Sequence, residues 1–259
     1  MFNLNGIVNM KPEEKYLSIR LADVEREVKS FISYLVGCYF GRYSLDKEGL
    51  IYAGGKFDAS VYKTISIKEN NIIPIMDDDY FEDDLLSNII DSIKIIFGED
   101  TLEENLQFIA NALGGNGTSR EIIRNYLLND FYKDHLKIYQ KRPIYWMLDS
   151  GKKNGFKALI YMHRYTPDLL ATIRTDYIFE LQERYRTQIE NLEHQYYNDD
   201  SKNRLKIAKQ LDKIKAKANE LQQYEEKIHH LADQMIEIDL NDGIKNNYLK
   251  FDEILIALK

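Results

Sequence analysis

The chain has 259 residues, 44% hydrophobic and 30% charged, so it can bury a sizeable core, and wholesale disorder is excluded. Its 35 Lys and Arg face 42 Asp and Glu, a formal charge of -7, so no overall basic charge advertises a polyanionic partner. A single cysteine, Cys38, excludes an internal disulfide framework, a Cys-pair zinc knuckle and a CxxC motif, and it fits a reducing compartment, the cytoplasm.

Residues 1–10 lack a basic stretch followed by an apolar one, and the longest apolar run, 31–40, is about half of the roughly 20 residues a membrane span needs. Neither export nor a membrane partner is expected. Leu21, Val24, Val28, Phe31, Ile32, Leu35 and Val36 fall at three- and four-residue spacings, which predicts an amphipathic helix running to about Phe40 and ended by Gly41. Beyond Gly54 and Gly55, the alternation of Val61, Ile65 and Ile67 with Tyr62, Ser66 and Lys68 suggests a short strand.

The segment 69–105 carries twelve Asp and Glu against Lys94 alone. Within it Leu85, Leu86, Ile89, Ile90, Ile93 and Ile96 make a helical face, with Asp83 and Asp84 at the positive end of its dipole. The run from Asp77 to Asp84 does not match a calcium loop, because Glu82 and Asn88 stand where glycine and glutamate are needed, so a solvated helix start is the plainer reading. Gly114, Gly115 and Gly117 precede Thr118 and Glu121, which match a capping box and predict a helix carrying Ile122, Ile123, Tyr126, Leu127 and Phe131, closed by Pro143. The same GGNGTS stretch lacks the lysine of a phosphate loop, although a helix start can hold a single phosphate.

The stretches 144–148 and 156–162 flank a turn at 150–155 and predict a β-hairpin over about 144–162. Thr166, Pro167 and Asp168 predict the next helix start, with Thr166 as N-cap. From there to Glu237 the chain reads as two long helices broken at 198–201. Leu211, Ile214, Ala218, Leu221, Ile228 and Met235 sit near heptad a and d positions, and Lys206, Lys209, Lys213, Lys217, Glu220 and Glu226 lie on other faces. A coiled-coil-like antiparallel helical hairpin over about 167–237 follows, either a solvated brace or a partner-binding tip. An Asn-Asp-Gly turn then leads to a last helix ending at Lys259. The fold class is α+β and predominantly helical, divided as 1–68, 69–175 and 176–259.

Between Thr118 and Arg174 the charge reverses, with eleven basic against five acidic residues and nine aromatic ones interleaved. Cations that could neutralise phosphates thus sit beside rings that could stack on bases, which points to nucleic acid. The competing reading is that this segment docks on the acidic 69–105 segment. The five histidines show no metal-ligand spacing, and there is no G-x-S-x-G elbow, so the chain offers no convincing catalytic constellation.

Four blocks, FISYLVGCYFGRYSLD (31–46), DHLKIYQKRPIYW (134–146), ALIYMHRYTPDLLATIRT (158–175) and IDLNDGIKNNYLKF (238–251), resemble the C-terminal part of PglX-type adenine-specific DNA methyltransferases of the BREX phage-exclusion systems, themselves similar to large restriction-modification methylases. The resemblance extends in the same order over nearly all of the chain. It implies a much larger enzyme that transfers a methyl group from S-adenosylmethionine to the N6 of adenine in double-stranded DNA, after bringing the base out of the stack. The N-P-P-Y motif and the glycine-containing methyl-donor loop of such enzymes have no counterpart here, since Pro12, Pro74, Pro143 and Pro167 are isolated. The chain is therefore expected to be inactive alone, with no catalytic, cofactor or metal residue. It would serve as a recognition or spacer module, or as a docking module for the methyltransferase core or other defence proteins. From local charge and the predicted hairpin, Arg142, Lys152, Lys153, Lys157, Arg164 and Tyr165 are the expected DNA contacts, with Lys152 and Lys153 in the turn setting affinity and register. Tyr145 and Trp146 are expected in the core.

Overall fold

A computed structural model describes residues 23–198 and 201–258. Leu21 and the middle of the predicted 198–201 break lie outside the described residues.

The first helix, α1 (Val24–Tyr39), begins where Asp23 accepts the Arg26 backbone N–H at 3.1 Å and ends at Gly41, whose φ of 75° suits glycine. The loop that follows holds a single 3-10 turn, Ala59–Val61, and not the strand suggested by Val61, Ile65 and Ile67. Asp46 explains the difference. Its carboxylate accepts the backbone N–H groups of Lys63 and Thr64, both at 2.8 Å, so a side chain takes the donors a strand would offer a neighbour. Those bonds, with the Thr64 hydroxyl first, hold the Asp46 carboxyl down at about 2. The strand of this region is β1 (Ile72–Pro74), which starts five residues beyond Ile67.

Asp84 caps α2 (Leu85–Phe97) through the Ser87 N–H at 2.8 Å, and α3 (Leu102–Leu113) follows. The Thr118–Glu121 capping box forms as expected and starts α4 (Ser119–Asn129). The predicted single helix is in fact two. Asp130 leaves helical geometry at φ -124°, ψ -32°, so Phe131 opens α5 (Phe131–Ile138), and the chain stops being helical before it reaches Pro143.

The expected hairpin is β2 (Tyr145–Asp149) and β3 (Lys157–Tyr161), and β1 adds to its other side in an antiparallel sheet of order β1-β3-β2. Alternation divides the sheet into two buried faces. Ile73, Tyr145, Met147, Leu159 and Tyr161 pack against α1 to α5 in one apolar cluster. Ile72, Trp146, Leu148, Ala158 and Ile160 join a second cluster with the later helices. Burial on both sides is why β2 and β3 read as near-continuous apolar runs. Tyr145 and Trp146 are both buried, on opposite faces.

The next helix starts two residues later than Thr166 would give, with Asp168 at the cap of α6 (Leu169–Thr172), because the Thr166 carbonyl first closes a turn with the Leu169 N–H at 3.0 Å. A π-helical stretch, Ile173–Ile178, leads into α7 (Phe179–Asn198), which packs antiparallel on α8 (Ser201–Asp233). Two positions depart from the expected heptad pattern. Met235 lies beyond the helix, half exposed with φ 44°, and Lys217, placed on another face by the heptad, is buried. The last helix, α9 (Ile244–Leu249), is short and does not run to Lys259. Instead the tail lies along β2: the Asp149 N–H donates to the Ile254 carbonyl at 3.1 Å and the Ile256 N–H to the Met147 carbonyl at 2.9 Å, covering an otherwise open edge.

Candidate nucleic-acid interface

Six of the eleven cations between Thr118 and Arg174 are engaged inside the chain. Arg120 pairs with Glu103 at 2.5 Å. Arg124 bonds Asp84 at 2.5 Å, Asp79 and the Met76 carbonyl, which fixes α4 to the acidic loop before α2. Lys133 reaches Asp130 at 3.0 Å and Arg174 reaches Glu225 on α8 at 2.5 Å. The acidic 69–105 segment thus takes part of the basic segment's charge, as the competing reading held.

Two of the expected DNA contacts belong to this internal set. Lys157 on β3 lies 3.8 Å from Asp149 across the hairpin, with both side chains largely covered; burial raises the Asp149 pKa and Lys157 opposes that rise. Arg164 donates to the Lys68 carbonyl at 2.8 Å and the Glu69 carbonyl at 2.9 Å, with its guanidinium 4.7 Å from the Phe57 ring centre. A third, Tyr165, donates its hydroxyl to the Ile236 carbonyl at 3.0 Å and packs on Trp146 and Phe251. Their geometry ties loops to the sheet and to the tail.

Arg142, Lys152 and Lys153 are exposed, and no carboxylate among the described residues pairs with their side chains. They do not form one patch. Arg142, with exposed Lys137 and Lys141, stands where the chain enters β2, and Lys152 and Lys153 stand in the turn where it leaves, about 17 Å away along a five-residue strand.

The turn is a built feature. Ser150 Oγ accepts the Phe156 N–H at 2.8 Å and Asp149 accepts the Gly151 N–H at 3.0 Å. Glu220 of α8 then reaches in, accepting from the Ser150 hydroxyl at 2.8 Å, the Lys153 N–H at 2.8 Å and the Gly155 N–H at 3.0 Å. One carboxylate from the helical hairpin therefore holds the loop that presents both lysines. Gly155 lets the two surfaces meet, because a Cβ there would stand 3.0 Å from the Lys217 carbonyl oxygen and 3.2 Å from the Leu221 nitrogen. Heptad spacing assigned Glu220 to a solvent face. A signal was nonetheless present, in a tight turn with more backbone donors than its own acceptors can satisfy.

Beside the turn lies a shallow cleft of about 450 Å³ lined by Lys152, Lys153, Asp77, Asp212 and Lys213. Asp77 is held by Lys217 and, at 3.2 Å, by Lys213. Burial would raise its pKa, but the two lysines outweigh it and keep the carboxyl below the ordinary value.

The Gly114–Ser119 loop leads into the capping box of α4. The Glu121 carboxylate accepts the Thr118 N–H at 2.7 Å, and these cap bonds keep its pKa below the usual range, so the chain's own anion sits at the helix start. Among the described residues no group of three His, Cys, Asp or Glu is arranged to hold a metal ion, and no helix is long and apolar enough to cross a membrane. Cys38 is buried, and that burial pushes its thiol up to about 11.

Fold and surface define a helix-rich α+β chain that is similar along its whole length to one stretch of much larger adenine-specific methyltransferases. The particular relatives are the adenine-specific methyltransferase PglX of Lacticaseibacillus casei (strain Zhang), 44% identical over 267 residues, and the adenine-specific methyltransferase BrxX of Escherichia coli O9:H4 (strain HS), 41% identical over 246 residues. The matches take in 100% and 90% of the chain but 22% and 20% of the relatives, so the chain spans about a fifth of their length. The resemblance read from the sequence blocks holds, and the match lies in the C-terminal region of the larger proteins. No family model matches the chain.

Proposed function

We propose that this chain is the DNA-contacting C-terminal module of an S-adenosylmethionine-dependent adenine-N6 DNA methyltransferase of a phage-exclusion system, and that it transfers no methyl group by itself. It would act in the cytoplasm on double-stranded DNA, together with the methyltransferase core and other defence proteins. The observation that carries the reading is the β2–β3 turn, where two exposed lysines are presented by a loop fixed by Glu220. Long cations on a fixed loop suit phosphate contacts, which set register and affinity and leave base choice to other groups.

The residues present do not fit a methyl-donor site. The glycine-rich 114–117 loop ends in a helix start already occupied by Glu121, and Pro74, Pro143 and Pro167 lie in β1, before β2 and before α6 with no N-P-P-Y around them. No methyl-transfer step is therefore assigned to this chain.

Fluorescence anisotropy of the purified chain with a random duplex, with S-adenosylmethionine present and methylation followed alongside, tests the reading. Binding that weakens steeply as salt rises, without methyl transfer, is expected. Lys152→Glu combined with Lys153→Glu should reduce it strongly, and unchanged affinity in that variant would refute the DNA-contact role. A second reading, a docking module, is favoured by Tyr197 and Leu205, which are 77% and 76% exposed on the helical hairpin near where α7 gives way to α8. Salt-insensitive retention of a methyltransferase core, with no duplex binding, would select it.

A further inference from the structure

We propose that the first half of α8 continues the β2–β3 turn into one cationic track that follows the phosphate backbone of duplex DNA. This rests on the DNA-contact reading above and adds to it a second surface that the basic 118–174 segment does not contain. The charge of α8 is strongly polarised: residues 201–217 hold seven Lys and Arg against Asp212, whereas 218–233 hold Glu220, Glu225, Glu226 and Asp233 against Lys227. That order opposes the helix dipole, whose positive end lies at the start of α8, where the first turn contains no acidic residue. A helix selected only as a brace gains from the reverse arrangement, so the clustering calls for another cause.

The side chains provide one. Lys215 is paired with Glu193 of α7 at 2.6 Å and Lys217 is buried on Asp77, but Lys206 and Lys209 are exposed and pair with no carboxylate among the described residues. Lys213 keeps a side-chain exposure of 66% while bonded to Asp77. Residues 206, 209 and 213 recur at helical spacing and share a face, over a rise of about 10 Å. Lys213 also lines the same cleft as Lys152 and Lys153, which joins the strip to the turn. Of the two acids lining that cleft, Asp77 is already neutralised, leaving Asp212 as the opposing charge. Duplex DNA carries a charge about every 1.7 Å along its axis, so a strip of this length faces several phosphates at once.

The test uses the full 259-residue chain and a short random duplex in a salt titration, with four proteins: unchanged, Lys206→Gln/Lys209→Gln, Lys152→Gln/Lys153→Gln, and Lys227→Gln/Lys245→Gln as an equal-charge control. The substituted α8 lysines pair with no carboxylate among the described residues, so the melting temperature should stay within a degree or so of the unchanged chain. Each phosphate contact contributes about 0.9 to the slope of log affinity against log salt, so the α8 pair should lower that slope by about 2, as the turn pair does, and leave the control unaffected. If the turn pair weakens binding while the α8 pair behaves like the control, the track is wrong and the DNA-contact reading stands. If the unchanged chain binds no duplex even at low salt, that reading falls and the track falls with it. Equal loss in the α8 pair and the control would reduce the effect to net charge and also overturn the track.

Discussion

Replacing Lys217 should destabilise the protein far more than replacing any of its neighbours on α8. Its side chain is 2% exposed, its ammonium bonds Asp77, and it stands 5.4 Å and 5.8 Å from the ring centres of Tyr80 and Tyr185. Burial pulls its pKa below the ordinary lysine value although Asp77 opposes that pull, so the charge is held at a desolvation cost that the carboxylate and the rings offset. Breaking a buried pair from one side costs about 3–5 kcal/mol; because Lys213 still reaches Asp77 at 3.2 Å, the lower end, about 3 kcal/mol, applies to Lys217→Met, which keeps most of the methylene packing. At roughly 2–4 °C per kcal/mol for a chain of this size, the melting temperature followed by circular dichroism should fall by about 10 °C. Adding Asp77→Asn removes the stranded carboxylate, so the double variant should be more stable than the two single losses summed, by about 1 kcal/mol or more. Lys217→Met melting with the unchanged protein, and a strictly additive double variant, would show that the pair does not hold the acidic loop to α8.

Two further outcomes follow from the same geometry. Gly155→Ala would place a Cβ 3.0 Å from the Lys217 carbonyl oxygen, and since that neighbour is backbone the change should cost about 1–3 kcal/mol and weaken duplex binding with both turn lysines intact; an unchanged melting temperature would mean that turn and helix are not in close register. His135 is 3% exposed, and burial, helped by the charge of Arg42, depresses its pKa to about 3, against about 6.5 in an unfolded chain. Below about pH 6.5 the unfolded chain therefore binds a proton that the folded one refuses. Its contribution is complete above that pH and is lost as pH falls toward 3, at up to about 1.4 kcal/mol per unit. His135→Gln should flatten the decline in melting temperature between about pH 6 and pH 4, and an equally steep decline would locate the acid sensitivity elsewhere.

The elements legible in the sequence are those whose signals are local. Asp84 and Thr118 mark helix starts because a cap is decided within four residues, and the β-hairpin shows through because its turn chemistry and β-branched flanks are contiguous. What failed depends on distant partners. Three residues of β1 are too few for a period to show, and the alternation at Val61, Ile65 and Ile67 misled because Asp46, seventeen and eighteen positions away, takes the N–H groups of Lys63 and Thr64. Lys217 reads as a solvent lysine until Asp77, 140 positions earlier, folds onto it. The same holds for the expected DNA contacts: charge density marks the 118–174 segment, but the partners of Lys157 and Arg164 are set by the sheet and the 68–69 backbone, so of the expected cations the turn lysines and Arg142 are the ones without a carboxylate partner among the described residues.

The close seat of Gly155 on α8 makes that helix a protractor. Glu220 is bonded to the β2–β3 turn and Leu221 is buried beside Gly155, so the direction in which every residue toward the start of α8 points is fixed by counting back from them. Each residue inserted between 209 and 217 would turn Lys206 and Lys209 by about 100° around the axis, so two would carry them to nearly the opposite side and three to some 60° short of where they began. Removing seven residues there and seven from the facing part of α7 would instead keep the lysines close to their bearing and draw them about 10 Å toward the turn. Length changes along this hairpin are thus not equivalent: the molecule would register them by angle before it registered them by distance.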